Sequence, residues 1–220
     1  MENAVKAKRK YPFGFYVCAL SFTLERMAFY SSKWLMGVFI VAAAATGGLG
    51  LEPADGAKMT ANLVAFTYLS PIIGGYISDK WIGARYTIPV GMFIMAAGYY
   101  FGSIADSASM VNLMIILVAI GTAFFKGNLS AVNGQLFNNQ EDLDSAFSVQ
   151  YSFVNAGSFI GTTATGYLYL NTFAKNGVLG FSQCFLMAAI LCAIGGVWFI
   201  LGWKFLGDAG KRPFKEGVQT

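Results

Sequence analysis

Four ionisable side chains stand inside long apolar stretches of this sequence: Glu25, Arg26, Lys33 and Lys126. At the centre of a bilayer each such group costs about 2.5–3.5 kcal/mol on insertion scales, so it must face a protein interior or a watery cavity. Helical spacing gathers them. Arg26, Tyr30 and Lys33 follow i, i+4, i+7 and make one polar stripe, with Glu25 one residue off it. Lys126, Ser130 and Asn133 repeat the spacing, with Thr122 one turn before; Tyr151, Asn155 and Ser158 repeat it again. Tyr68 precedes Pro71, where a kink is expected. Such stripes on neighbouring helices would line one aqueous pocket. Three cations against one carboxylate leave two positive charges uncompensated. Glu25 can neutralise one cation as a buried pair, but not the set. The remainder calls for an anion: a substrate carboxylate, an acidic residue of a partner, or both in turn. A guanidinium grips both oxygens of a carboxylate, whereas an ammonium acts as a point charge.

The elements that carry these groups must be membrane helices. Of 220 residues, 56% are hydrophobic and 12% charged, with a mean hydropathy of +0.56. Soluble domains carry about 25% charged residues, and this chain cannot cover its surface with so few. An aromatic content of 16% excludes disorder, and three cysteines exclude a disulfide scaffold. Cys18, Cys184 and Cys192 fall in apolar runs and read as buried, inert thiols. With no histidine, the chain has no imidazole metal site, Ser-His dyad or histidine proton relay. No metal or cofactor is expected.

Residues 34–51, 59–78, 86–105, 107–125, 145–174 and 176–203 carry no charge, and each run is at least 18 long. About 20 apolar residues cross the hydrocarbon core as a helix. Six spans are therefore expected, at 14–44, 59–79, 86–104, 110–137, 145–170 and 179–205. The first also resembles a secretory signal, but Glu25, Arg26 and Lys33 inside it argue for an uncleaved span. Lysine and arginine orient the chain. Ten lie on one side (Lys6, Lys8, Arg9, Lys10, Lys80, Arg85, Lys204, Lys211, Arg212 and Lys215), and only Lys58 and Lys175 on the other. Positive-inside bias puts both termini in the cytoplasm of a cell-membrane protein. The net charge of +4 reflects that bias rather than a nucleic-acid surface.

The domain reading is a basic tail over 1–13, a six-helix bundle over 14–205, and a second basic tail over 206–220. The bundle divides into repeats 14–104 and 110–205. An odd number of helices inverts one repeat against the other, a common transporter plan. Gly74-Gly75, Gly195-Gly196 and the Gly157, Gly161 pair mark close helix packing.

Four motifs resemble the proton-coupled oligopeptide transporters of the major facilitator superfamily. Glu25-Arg26 with Phe29-Tyr30 is similar to the second half of that family's ExxER motif and its aromatic pair. The stretch from Gly74-Gly75-Tyr76 through Asp79-Lys80 to Gly83-Ala84-Arg85 resembles the superfamily's loop signature. Gly121 through Lys126-Gly127-Asn128 with Ser130 and Gly134 is the third. The fourth is Asp144-Ser145-Ala146-Phe147 with Tyr151, Asn155 and Gly157. The resemblance covers essentially the whole chain, but only the N-terminal half of a family member. It implies an all-α membrane protein, a six-transmembrane-helix bundle that is half of a twelve-helix fold. It implies proton-coupled symport of di- and tripeptides by alternating access, with lipid as solvent and a C-terminal six-helix half as partner. Arg26, Tyr30, Lys33, Tyr68, Lys126 and Asn155 would line the peptide site. Glu25 and Lys126 would couple protons, and Asp79 and Arg85 would brace the cytoplasmic gate.

The departures carry expectations too. Phe22 stands where the motif's first Glu would face Arg26, which removes a titratable group and leaves Arg26 freer for substrate. Phe29 lacks one hydroxyl of the family's aromatic pair, Lys33 stands where the family often has Arg, and Gly127 replaces a Pro. The length reads as a fragment or an isolated half. Competing readings are a carrier of another small anion such as nitrate, a non-transporting scaffold half, and a membrane enzyme built on Lys126 and Ser130.

Overall fold

In a computed structural model, residues 11–211 are described. The parts of the two basic tails at 1–10 and 212–220, with Lys6, Lys8, Arg9, Lys10, Arg212 and Lys215, lie outside them. The described residues form six long helices: α1 (Phe13–Val41), α2 (Pro53–Ile77), α3 (Ala84–Ser103), α4 (Ala108–Gly134), α5 (Gln140–Tyr167) and α6 (Phe181–Leu201). Short connections make successive helices antiparallel. Two of the helices, α4 and α6, are long and apolar enough to cross a bilayer by composition alone.

Local chemistry sets the helix ends beyond the charge-free runs. α2 starts at Pro53 rather than 59, because proline suits the first helical position, where its missing N–H costs nothing. Asp55 sits favourably in that first turn. α5 starts at Gln140 rather than 145, because the Asn139 side chain accepts the Asp142 backbone N–H at 2.7 Å. Both helices therefore take charged residues into turns that a count of apolar residues leaves out. Pro71 lies inside α2, which continues through it.

The packing has an internal symmetry. α1 packs chiefly on α5 and α6, while α4 packs chiefly on α2 and α3, and α3 meets α6. Exchanging α1 with α4, α2 with α5, and α3 with α6 leaves this pattern unchanged. Each repeat's first helix thus packs on the second and third helices of the other repeat. Both second helices also end in a five-residue π turn, Ser78–Ile82 after α2 and Leu168–Thr172 after α5.

Glycines permit these crossings. A Cβ on Gly74 of α2 would collide with the Ala123 backbone of α4. On α5, a Cβ on Gly157 would lie 2.5 Å from the Thr23 carbonyl oxygen of α1, and one on Gly161 would lie 2.5 Å from that of Met27. Such contacts let backbones meet where lipid offers no hydrophobic drive between helices. The core lies where α1, α3, α4 and α6 meet, with Met36, Ile88, Met92, Phe125, Phe185 and Phe199 fully buried.

The chain is closed at both ends of the bundle. At one end a hairpin after α5 turns at Asn176 and Gly177, both with positive φ, and the Leu179 N–H reaches the Thr46 carbonyl at 2.9 Å. At the other end the segment after α6 folds under the bundle, burying Leu206 and Ala209. Substituting Gly161→Leu should lower the thermal midpoint in detergent by the equivalent of about 1–3 kcal/mol of overpacking. Gly127→Ala should not lower it, since nothing lies within 4 Å of the added carbon. Differential scanning fluorimetry separates the two.

Candidate functional site

α1 places Glu25 and Arg26 side by side, and the side chains fold onto each other. Arg26 donates from Nε to Glu25 Oε2 and from Nη2 to Oε1, each at 2.5 Å. Glu25 is 0% exposed and Arg26 6%. The guanidinium also lies over the Phe29 ring, 4.8 Å from its centroid, and 5.8 Å from that of Tyr30. This two-pronged pair is what lets both charges sit inside the bundle.

The structure corrects one expectation about Arg26. Phe22 indeed offers it no carboxylate; it packs edge-on against Phe125 of α4, ring centroids 5.4 Å apart. But Arg26 is already engaged on one edge, because Glu25 at the adjacent position takes its Nε and Nη2.

Two cations remain. Lys33 is half-buried, with Nζ 5.9 Å from the Tyr30 ring centroid. Lys126 is half-buried on α4, with Nζ 4.3 Å from the centroid of Tyr68 on α2. Neither makes an ion pair with a described residue. Lys126 nonetheless feels the charges of both Arg26 and Glu25. Arg26, Tyr30, Lys33, Tyr68 and Lys126 thus form one cluster across α1, α2 and α4. A ring against each ammonium supplies attraction without neutralising it, so an incoming anion still finds net positive charge. Tyr68 is 61% exposed, so the cluster opens at the surface of the bundle. Asn155 on α5 is exposed as well, without a side-chain contact to that cluster among the described residues.

The other polar stripes divide. Asn133 is spent elsewhere: it is fully buried and donates to Gln150 Oε1 of α5. Thr122 donates to Met95 Sδ at 3.5 Å, and Ser130 and Ser158 bond back to their own helices. Helical spacing put these residues on a face, but the neighbour that face meets is a packed helix.

The two proposed gate residues behave differently from each other. Asp79 is exposed in the π turn after α2, and among the described residues no hydrogen bond ties it to a neighbouring helix start. Arg85 is 4% exposed at the start of α3 and donates from Nη2 to the Gly207 carbonyl at 2.8 Å. Its backbone N–H also donates to the Gly210 carbonyl, and Gly210 donates to Gln135 Oε1. Arg85 therefore holds the segment after α6 against α3 and α4.

A buried network escaped the sequence reading. Asn128 donates from Nδ2 to Ser78 Oγ at 2.6 Å and Thr87 Oγ1 at 3.1 Å, and Ser78 donates to Thr87 at 2.7 Å. It ties α4 to the turn between α2 and α3. Asn128 follows Lys126 closely in sequence, and Ser78 lies within the loop motif; their meeting, some 50 residues apart, carried no local signal.

Comparison with known proteins fits this geometry. The profile of the POT family matches residues 85–213. The chain belongs to the POT family. It is 29% identical over 214 residues to dipeptide and tripeptide permease A of Edwardsiella piscicida, an alignment spanning 96% of this chain and 41% of the relative. The corresponding protein of Enterobacter sp. (strain 638) is 30% identical over 213 residues, 95% of this chain and 40% of the relative. A crystal structure of the peptide transporter POT in complex with sulfate superposes with a TM-score of 0.86 at 25% identity, covering 93% of this chain and 40% of that one. A POT family transporter in complex with 5-aminolevulinic acid gives 0.86 at 26%, covering 96% and 42%. The chain thus spans about 40% of the length of the relatives it matches. The six-helix bundle corresponds to the half of a POT transporter that those superpositions cover. The family profile begins at Arg85, so Glu25, Arg26, Lys33 and Tyr68 enter through the longer alignments.

Removing Glu25 alone should strand a buried guanidinium. Glu25→Ala is expected to cost about 3–5 kcal/mol, and Glu25→Ala with Arg26→Met clearly less. Thermal unfolding in detergent reads the difference, and equal losses would overturn the pair's role. Accessibility gives a second test. With the three natural cysteines buried, a cysteine substituted at Tyr68 or Lys126 should react with a membrane-impermeant maleimide at least about ten-fold faster than one at Arg26.

Proposed function

We propose that this chain forms one six-helix half of a secondary active transporter that takes up di- and tripeptides together with protons. The observation that carries the reading is the pair of unneutralised lysines, Lys33 and Lys126, beside a guanidinium closed on its own carboxylate. A peptide brings one carboxylate, and the net charge of the cluster suits it. The names of the relatives, dipeptide and tripeptide permease A, support the substrate class. Bound sulfate in one structural neighbour and a thioalcohol-conjugated peptide in another support an anion-accepting site in such folds.

Each residue then has a task. The substrate carboxylate enters between Lys33 and Lys126, with Tyr30, Tyr68 and Asn155 supplying ring faces and hydrogen bonds. The substrate carboxylate competes with Glu25 for Arg26, whose Nη1 side Glu25 leaves unused. Glu25 and Lys126 are the groups through which proton uptake is tied to substrate entry. Alternating access rocks this half against a second six-helix half about the site. Arg85 stiffens one end of the bundle through the turn after α6, and exposed Asp79 is free to meet the other half. Lysine and arginine bias places both ends of the chain on the cytoplasmic side of the cell membrane. A catalytic function has no support, since relatives and neighbours are named as permeases and transporters.

The test is uptake of labelled di-alanine into proteoliposomes holding the complete protein. Accumulation should follow an inward proton gradient and vanish with a protonophore. Lys126→Ala should cut it by at least about ten-fold, the worth of about 1.4 kcal/mol. Inserted protein that accumulates no peptide under the gradient would defeat the proposal, and accumulation of nitrate instead would favour a small-anion carrier.

A further inference from the structure

The helices that carry the charges are set against their neighbours in two different ways. At the depth of Glu25 and Arg26, α1 meets α5 at backbone contact, through Gly157 against Thr23 and Gly161 against Met27. Near Lys126, α4 meets α2 in the same manner through Gly74 against Ala123, and α3 through Gly91 against Gly121. Between α1 and α4 stand two phenyl rings instead. Phe22 of α1 is 5% exposed and Phe125 of α4 0%, and the rings meet edge to face, centroids 5.4 Å apart and planes at 70°. Among the described residues no other ring pair joins these two helices. Helices that cross at glycine close to backbone distance, whereas helices that cross at bulky side chains are held apart by them.

Each ring is the neighbour of a cation. Phe22 lies one helical turn before Arg26, and Phe125 directly precedes Lys126. The cations are unequally shared between the two helices. Arg26 and Lys33 both stand on α1, while Lys126 stands alone on α4, its ammonium 4.3 Å from the Tyr68 ring centroid. A carboxylate held from both helices at once must therefore span the gap that the rings occupy. Such a constellation works only when it is held within about 0.5 Å of its productive geometry. Apart from this crossing, α1 packs chiefly on α5 and α6, and α4 on α2 and α3, so the gap is not set by a shared partner helix.

We propose that the Phe22–Phe125 pair is a spacer, and that Phe22 is a positioning residue which sets the reach between the α1 cations and Lys126 for a single substrate carboxylate. This rests on the transport reading above and names what fits the width of the site to its ligand. A phenyl ring at position 22 suits the task chemically. It neither titrates nor pairs with Arg26, so the spacing stays the same whether that guanidinium serves Glu25 or a substrate.

A ring pair that only filled the core would affect binding alike whichever cations were present. Calorimetry of di-alanine binding to the complete protein in detergent separates the two roles. Phe22→Leu keeps the position apolar but removes the ring. It is expected to weaken binding about ten-fold, the worth of about 1.4 kcal/mol. In a Lys126→Ala background the carboxylate is held from α1 alone, so the same substitution should change affinity by less than about two-fold. The ligand-free thermal midpoint should fall alike in both backgrounds. Phe22→Met, whose flexible side chain repacks irregular space, is the second variant should Phe22→Leu fail to fold, with the same contrast expected. Equal losses of affinity in the two backgrounds mark a packing role and overturn the proposal, and so does unchanged affinity where Lys126 is present. A parent protein that binds no di-alanine overturns the transport reading, and the spacer role with it.

Discussion

Everything in this bundle is arranged around the cost of placing charge where water is scarce. Glu25 and Arg26 meet that cost together: two parallel hydrogen bonds join neighbours on one helix, with aromatic rings closing over the guanidinium. In a low-dielectric interior neither ion is tolerable alone, and the pair is worth little beyond its own desolvation. Under the proposed function that balance suits the pair to a switch, because a pair whose making and breaking are nearly even in free energy can be tipped by a third charge. The two lysines nearby stay half-buried, each beside an aromatic ring and without an ion pair to a described residue.

The scaffold that holds this balance depends on small residues. Gly74, Gly157 and Gly161 let α2 press on α4 and α5 on α1 at backbone contact. Those crossings occupy corresponding places in the two repeats, so one packing rule is used twice. Because each repeat's first helix lies on the other repeat's second and third helices, neither repeat closes a core without the other. The interlocking makes the half a single mechanical unit. Arg85 and the Asn128–Ser78–Thr87 network bind its end at the turn between α2 and α3.

The relation between motif and geometry is instructive at positions 22 and 133. Phe22 offers Arg26 no acid and packs on Phe125, while Arg26 is paired with its neighbour Glu25. Asn133 shares helical spacing with Lys126, yet it is spent on Gln150 as a tie between helices. A polar residue in a membrane helix is equally able to line a cavity or to join two helices. Spacing alone cannot separate these, because it places a residue on a face without saying what that face meets.

Composition and charge spacing by themselves marked out six long charge-free runs, the expectation of six membrane helices, and more positive than negative charge within them. These follow from one-dimensional physics: a run of apolar residues is long enough to span, and a charge within it needs a cavity or a partner. The motifs added the family, and with it the grouping of Arg26, Lys33, Tyr68 and Lys126. Only the tertiary structure decided which charges are already paired and which are open. The physical reason is that pairing and burial are set by helices far apart in the chain. Their approach depends on where a missing side chain lets two backbones touch, and no local pattern records that distance.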